Sequence, residues 1–257
     1  PFLDDLEAAP ACAHCSDPFA GATLTEFAGR DLRDAPGRLA RTAEILSSGE
    51  PAAILGADVK RHMTRIGKAL PLQELGVAGV DCVSRHCWRT RLGSLRDDAM
   101  LFADWDAGER RSELLCARRH VIVVDPMYRS SHTALLRRVV DSGARVHLLY
   151  GDEERRLTER ELTFRVHPRH WMVVLYRALQ NGAVQADGLF ERVLVDSWEK
   201  DGVMPTAEDL SRSMDLLTAL GHGSNGGEQA TMKASQNPTY VAAVAAFDEA
   251  VRTCRRR

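Results

Sequence analysis

The sequence predicts an α/β protein: a Rossmann-like layer of parallel strands followed by a small helical module of helix-turn-helix or winged-helix type. Three observations predict it. Short apolar runs such as "PAAILGAD", "GVAGVDCVS" and "VIVVD" alternate with stretches of helical period. Such alternation implies βαβ crossovers and a parallel sheet covered on both faces. After Gly151 the apolar runs give way to helix-period segments. The chain is therefore divided into a connector or tail of a preceding domain over 1–36, a Rossmann-like domain over 37–155, a helical module over 156–222, and a loop with a terminal helix over 223–257.

The first thirty residues carry Pro10 and Pro18 and no clear period. From Gly37, "GRLARTAEILSSG" sets Leu39, Ala43 and Leu46 on one helical face, with Gly49 as the stop. The run Pro51–Asp58 suits a strand buried on both faces. "VKRHMTRIGKAL" follows as a helix closed by Pro71, then "GVAGVDCVS" as a strand. "DAMLFADWD" fits either a strand or a short helix. Val121–Val124 reads as a central strand, Thr133–Asp141 as a helix stopped by Gly143, and Val146–Tyr150 as the next strand. In the helical module, "PRHWMVVLYRALQNG" starts on Pro168 and aligns Trp171, Val174, Leu175 and Leu179. "QADGLFERVLVDSW" is a second short helix. "TAEDLSRSMDLLTALG" is a third, with Thr206 as N-cap and Gly221 at C′. An alanine-rich helix, "NPTYVAAVAAFDEAVRTC", closes the chain behind the loop "GHGSNGGEQ".

Composition narrows the function classes. At 257 residues, 44% hydrophobic and 27% charged, the chain has the make-up of a soluble globular protein. A net charge of −2 argues against a uniformly polyanion-binding surface but leaves room for a local basic face. No apolar run reaches the roughly 18 residues of a membrane span, so no membrane partner is expected and a cytoplasmic location is the default. The abrupt opening at Pro1 suggests a chain cut from a longer protein.

Catalytic motifs are sparse. Asp125 ends a hydrophobic strand, as a Walker B aspartate does, but no glycine-rich loop ending in Gly-Lys-Ser/Thr accompanies it. Before Pro126, such an aspartate reads as a strand-end cap or turn residue. Asp104 and Asp106 form a D-x-D that can hold a divalent ion or simply decorate a turn. The nine histidines show no H-x-x-x-H spacing, and no G-x-S-x-G is present. Cys12 and Cys15 form a C-x-x-C around His14, and with Cys82 and Cys87 they supply four thiolates for a structural zinc ion. Reduced thiols outside any metal site are the competing reading.

The arginines carry more. "SRHCWRTRLGSLR" sets Arg85, Arg89, Arg91 and Arg96, with His86, around Trp88. Cations interleaved with an aromatic can hold phosphates and stack a base, so this segment is the candidate single-stranded nucleic-acid interface. A second cluster, Arg155, Arg156, Arg160, Arg165 and Arg169, is interrupted by acids. A solvated charged face is the alternative for both.

The order of these pieces resembles the C-terminal region of the RecJ family, bacterial single-strand-specific DNA exonucleases, in particular the actinobacterial type. The similarity runs through "EFAGRDLRDAPGRLARTAEILSSGEPAAILGADVKRH", "RHVIVVDPMYRSSHTALLRRVVDSGARVHLLYGDEE", "PRHWMVVLYRALQNG" and "PTAEDLSRSMDLLTALG". The early "CAHC" resembles a cysteine pair near the junction with the family's OB-type domain. These are patterns of hydrophobicity and turns, not catalytic signatures. In that family the DHH and DHHA1 domains bind two metal ions, manganese or magnesium, and cleave the phosphodiester. This sequence has no Asp-His-His and no "GGH". The resemblance therefore implies a non-catalytic accessory region for 5′–3′ exonuclease work in DNA repair and recombination. It implies contacts with single-stranded DNA or with repair proteins such as a single-strand-binding protein or a helicase. The alternative is a ligand-sensing transcriptional regulator. Its DNA-reading helix would come from the module, yet "QADGLFERVLVDSWEK" is mostly acidic or apolar.

Overall fold

The computed structural model describes residues 31–86, 95–96, 98–180, 205–222 and 233–256. It divides into two compact units between Thr158 and Glu159, with the residues from Thr253 onward returning to the first unit.

The first unit is a five-stranded, all-parallel sheet, as the alternation of the sequence predicts. Its elements are α1 (Arg38–Leu46), β1 (Ala52–Gly56), α2 (Val59–Ala69), β2 (Val80–Val83), β3 (Met100–Asp104), α3 (Trp105–Arg110), α4 (Ser112–Cys116), β4 (His120–Val123), α5 (Ser130–Asp141) and β5 (Arg145–Leu148). The strand order is β2-β3-β1-β4-β5. β1 is central and pairs in parallel with β3 and β4, so every one of its residues is buried. A strand covered on both faces needs apolar or small residues throughout, and "AAILG" supplies them. The stretch "DAMLFADWD" contains both of its candidate elements, a strand to Asp104 and a helix from Trp105.

Helices cover the two faces differently. Ile45 and Leu46 of α1 and Val59 and Ile66 of α2 pack on Ile54, Phe102 and Ile122. On the other face α3 approaches closely: a Cβ at Gly108 would lie 3.1–3.3 Å from Leu115, Leu135 and Leu55. The connection after β1 thus leaves on one face, while those after β3 and β4 leave on the other. Crevices at the carboxyl ends of such neighbouring strands are where open α/β sheets place their ligands. Along β5, the segment at Asp31–Asp34 adds a bridge, with Leu32 N donating to Leu148 O. β2 is the opposite edge.

Helix α6 (Asp152–Arg165) carries the boundary between the units. It is longer than anything the apolar period of that segment suggests. Its buried positions Glu154, Thr158, Leu162 and Arg165 follow a helical stripe, but only one of them is apolar.

The second unit is helical. Trp171, Met172 and Leu175 of α7 (Pro168–Gln180) pack with Leu210, Leu216 and Leu217 of α8 (Ala207–Ala219) and Tyr240 and Val244 of α9 (Pro238–Arg256). Thr206 caps α8 in a capping box with Asp209, as its position predicts. Gly221, at φ 86°, ends α8: its N–H bonds Thr218 O and that of His222 bonds Leu217 O. This is a Schellman closure, which requires the left-handed conformation that glycine adopts without strain. Asn237 then ties two helix ends together, accepting from Thr239 and Tyr240 N–H and donating to Ala219 O. The segment "QADGLFERVLVDSW" lies outside the described residues.

Candidate functional site

Asp125 follows β4 at the carboxyl edge and has no exposed surface. Its Oδ2 accepts from Ala57 N at 2.6 Å, and the Arg61 Nη2 reaches both oxygens at 2.6 and 2.7 Å. His62 Nε2 stands 2.6 Å from the same Oδ2. A carboxylate can only accept, so the imidazole donates from Nε2, and three donors converge on one anion. Ala57 belongs to the β1–α2 turn, and Arg61 and His62 to the first turn of α2. Gly56 completes the fit, because a Cβ there would stand 2.8 Å from Asp125 Oδ2 and from the His62 ring. Asp58 caps α2 from its own side chain, accepting from Arg61 N. The strand-end aspartate therefore fastens the turn after β1 to the end of β4, in keeping with the cap or turn role that Pro126 suggested.

Asp104 does the same one strand away. Its Oδ1 accepts from Ala107 N at the start of α3, and its Oδ2 from Arg85 N beyond β2, both at 2.8 Å. Asp106 pairs with Arg129 at 3.0 Å. The D-x-D is thus divided between two structural jobs. Among the described residues no group of three or more His, Cys, Asp or Glu side chains is arranged to hold a metal ion.

Between β4, β5, α1 and α2 lies a cleft of about 30 Å³ of mixed character, lined by Arg38, Thr42, His62, Arg65 and Glu154 together with the apolar Leu39, Ile66, Val124 and Leu149. Glu154 is buried and binds Arg38 at 2.9 Å, Arg65 at 2.6 Å and the Gly151 amide at 2.9 Å. Burial alone would raise its carboxyl; the Arg65 bond, the Gly151 N–H and Arg38 outweigh that and hold it below the usual range. Nearby, burial pushes the Tyr150 hydroxyl up to about 12, against the pull of Arg33. At the amino end of β4, His120 joins His147 of β5 at 2.9 Å and Glu50 at 2.7 Å. The hydrogen bond from His120 holds the Glu50 carboxyl down.

The candidate nucleic-acid residues flank edge strand β2. Arg85 follows its carboxyl end and is half-buried, its Nε 3.2 Å from His86 Nε2. Arg96 lies beside its start, its N–H donating to Asp81 at 2.8 Å and its side chain 52% exposed over Gly79. Trp88, Arg89 and Arg91 lie outside the described residues, as do Cys12, Cys15 and Cys87 of the candidate zinc set. Cys82 packs its side chain towards the core on the α1–α2 face. The second arginine cluster is dispersed around α6: Arg155 pairs with Asp34 and Asp152, while Arg165 is buried 3.7 Å from Glu161.

Sequence reasoning singled out Asp125 and missed its partners. Arg61 and His62 sit one helical turn into "ADVKRHM", where nothing but the preceding strand and the lone glycine marks them. No family model matches the chain, and no curated protein or solved structure matches it. No described helix is long and apolar enough to cross a membrane.

Proposed function

We propose that this chain is the non-catalytic C-terminal accessory region of a RecJ-like 5′–3′ single-stranded DNA exonuclease, acting in the cytoplasm in DNA repair and recombination. The observation that carries the reading is the state of the two strand-end aspartates. In α/β enzymes the carboxyl edge supplies the acids, bases and metal ligands of the reaction. Here Asp104 and Asp125 are committed to backbone amides and, for Asp125, to Arg61 and His62. That is the pattern of a scaffold rather than of a reaction centre.

Binding is assigned to the flank of β2. Arg96 offers an exposed guanidinium, and Arg85 stands at the other end of the segment that carries Trp88, Arg89 and Arg91. Guanidinium groups beside an aromatic suit the phosphates and bases of a single strand. A single-strand-binding protein or a helicase is the partner class for the remaining surface. The metal chemistry of the family belongs to domains that this sequence lacks, so manganese or magnesium is not needed for the binding step.

The test uses the purified chain with labelled single-stranded DNA and either metal. Retention of the oligonucleotide at full length, with binding weakened by Arg85→Ala and Arg96→Ala, agrees with the proposal. Metal-dependent shortening of the DNA would refute the accessory assignment. Tighter binding to duplex would favour the regulator instead.

A further inference from the structure

The crevice beyond β1 and β4 is the position at which an open sheet receives an anionic group: a tight turn after the central strand, a helix starting there, and a cation on its first turn. In this chain that position is full. The occupant is the Asp125 carboxylate, delivered from the neighbouring strand, with Ala57 N, Arg61 Nη2 and His62 Nε2 as its three donors. We propose that Asp125 is a built-in anionic ligand, a tethered carboxylate that keeps an anion cradle closed and locks the β1–α2 turn.

Two features distinguish this from an ordinary surface ion pair. The carboxylate is wholly buried and so is the imidazole that meets it, while the Arg61 guanidinium reaches in from a side chain that is 22% exposed. Gly56 is shaped to the carboxylate and ring, leaving no room even for a methyl group. Removing the carboxylate while keeping its donors leaves a small cationic hole. The tether is chemically dispensable if an untethered anion of the same shape can enter. Formate is that anion: one carboxylate and no bulk.

The deciding experiment is chemical rescue of Asp125→Ala in the full chain. The variant is expected to melt about 10 °C below the parent in chloride, because three donors lose a buried anion. Replacing chloride by formate at equal ionic strength should raise its melting point by about 3 °C or more, saturably, and leave the parent unchanged. A variant that responds no more than the parent overturns the proposal. Should Asp125→Ala be recovered only unfolded, its refolding from urea is compared in the two salts. Native circular dichroism regained in formate alone supports the tethered anion, and equal failure in both overturns it.

Discussion

Asp125 and Arg96 are both charged and both lie on the sheet unit, yet they stand in opposite physical situations. Asp125 has no exposed surface and three donors on its carboxylate. Arg96 is half exposed, and its Nε lies 4.0 Å from the Asp81 carboxylate. A buried ion is costly to desolvate and persists only where its partners are fixed, so its role is to fix them in turn. An exposed guanidinium gains little from such a pair and readily exchanges it for a phosphate. The first kind of charge builds the fold, and the second is available for binding. The carboxyl edge of this sheet holds the first kind, and Arg96 beside β2 is of the second.

If that division is right, substitutions at the edge should affect stability and substitutions at the flank should affect binding. The largest effect is expected from Asp125→Ala, with its rescue by formate. Next comes Glu154→Gln, which leaves Arg38 and Arg65 facing a neutral amide in the cleft; a loss of about 3 kcal/mol is expected in urea unfolding. The same residue gives a pH signature. Its carboxyl is held down in the fold, so its stabilisation is present above the unfolded value of about 4.3 and is lost as pH falls through the lower folded value. Unfolding midpoints of parent and Glu154→Gln should therefore converge in acid. A constant gap from pH 7 to pH 3 would contradict a charged Glu154 network.

Gly56→Ala tests the fit rather than the charge. The added methyl must displace the Asp125 carboxylate or the His62 ring, and a loss of about 2 kcal/mol is expected, as for overpacking. A neutral outcome would mean that the turn yields to a methyl group at little cost.

The helical unit offers a milder pH effect. Burial, followed by the nearby Arg169, lowers the affinity of His167 for a proton, although Asp248 opposes the shift. Its contribution is therefore fully present above the unfolded value of about 6.5 and declines as pH falls through the lower folded value. His167→Gln should flatten the fall in stability below that pH, and an unchanged profile would show that His167 has no part in it. The smallest stability effect belongs to Arg96→Ala, expected within about 0.5 kcal/mol of the parent. Its effect on DNA affinity should be clear nonetheless, and the reverse pattern would break the division between edge and flank.

How much of this was legible in the sequence depends on which residues carry the signal. The strands are legible because burial on both faces writes them as unbroken apolar runs, as in "AAILG" and "HVIV". The two ends of α8 are legible because Thr206 and Gly221 act through local backbone chemistry. α6 is hidden, since Glu154, Thr158 and Arg165 occupy three of its four buried positions and mimic a solvated segment. The Asp125 cradle is half legible. A strand-end aspartate is visible, but its partners lie more than sixty residues earlier, and only the parallel pairing of β1 with β4 brings them together. The arginines flanking β2 stand out by composition, yet composition alone could not tell Arg96, which is exposed, from Arg165, which is buried.

The most direct measurement of the central claim is a fluorescence anisotropy titration of the chain against a labelled single-stranded oligonucleotide across a salt series. Saturable binding is predicted without added metal, stronger than to duplex, with a linear log–log fall with salt. The slope should become shallower by about 0.7 for each phosphate that Arg85→Ala or Arg96→Ala leaves unneutralised. No change in anisotropy at the lowest salt, or a slope the same in parent and variants, would contradict the claim.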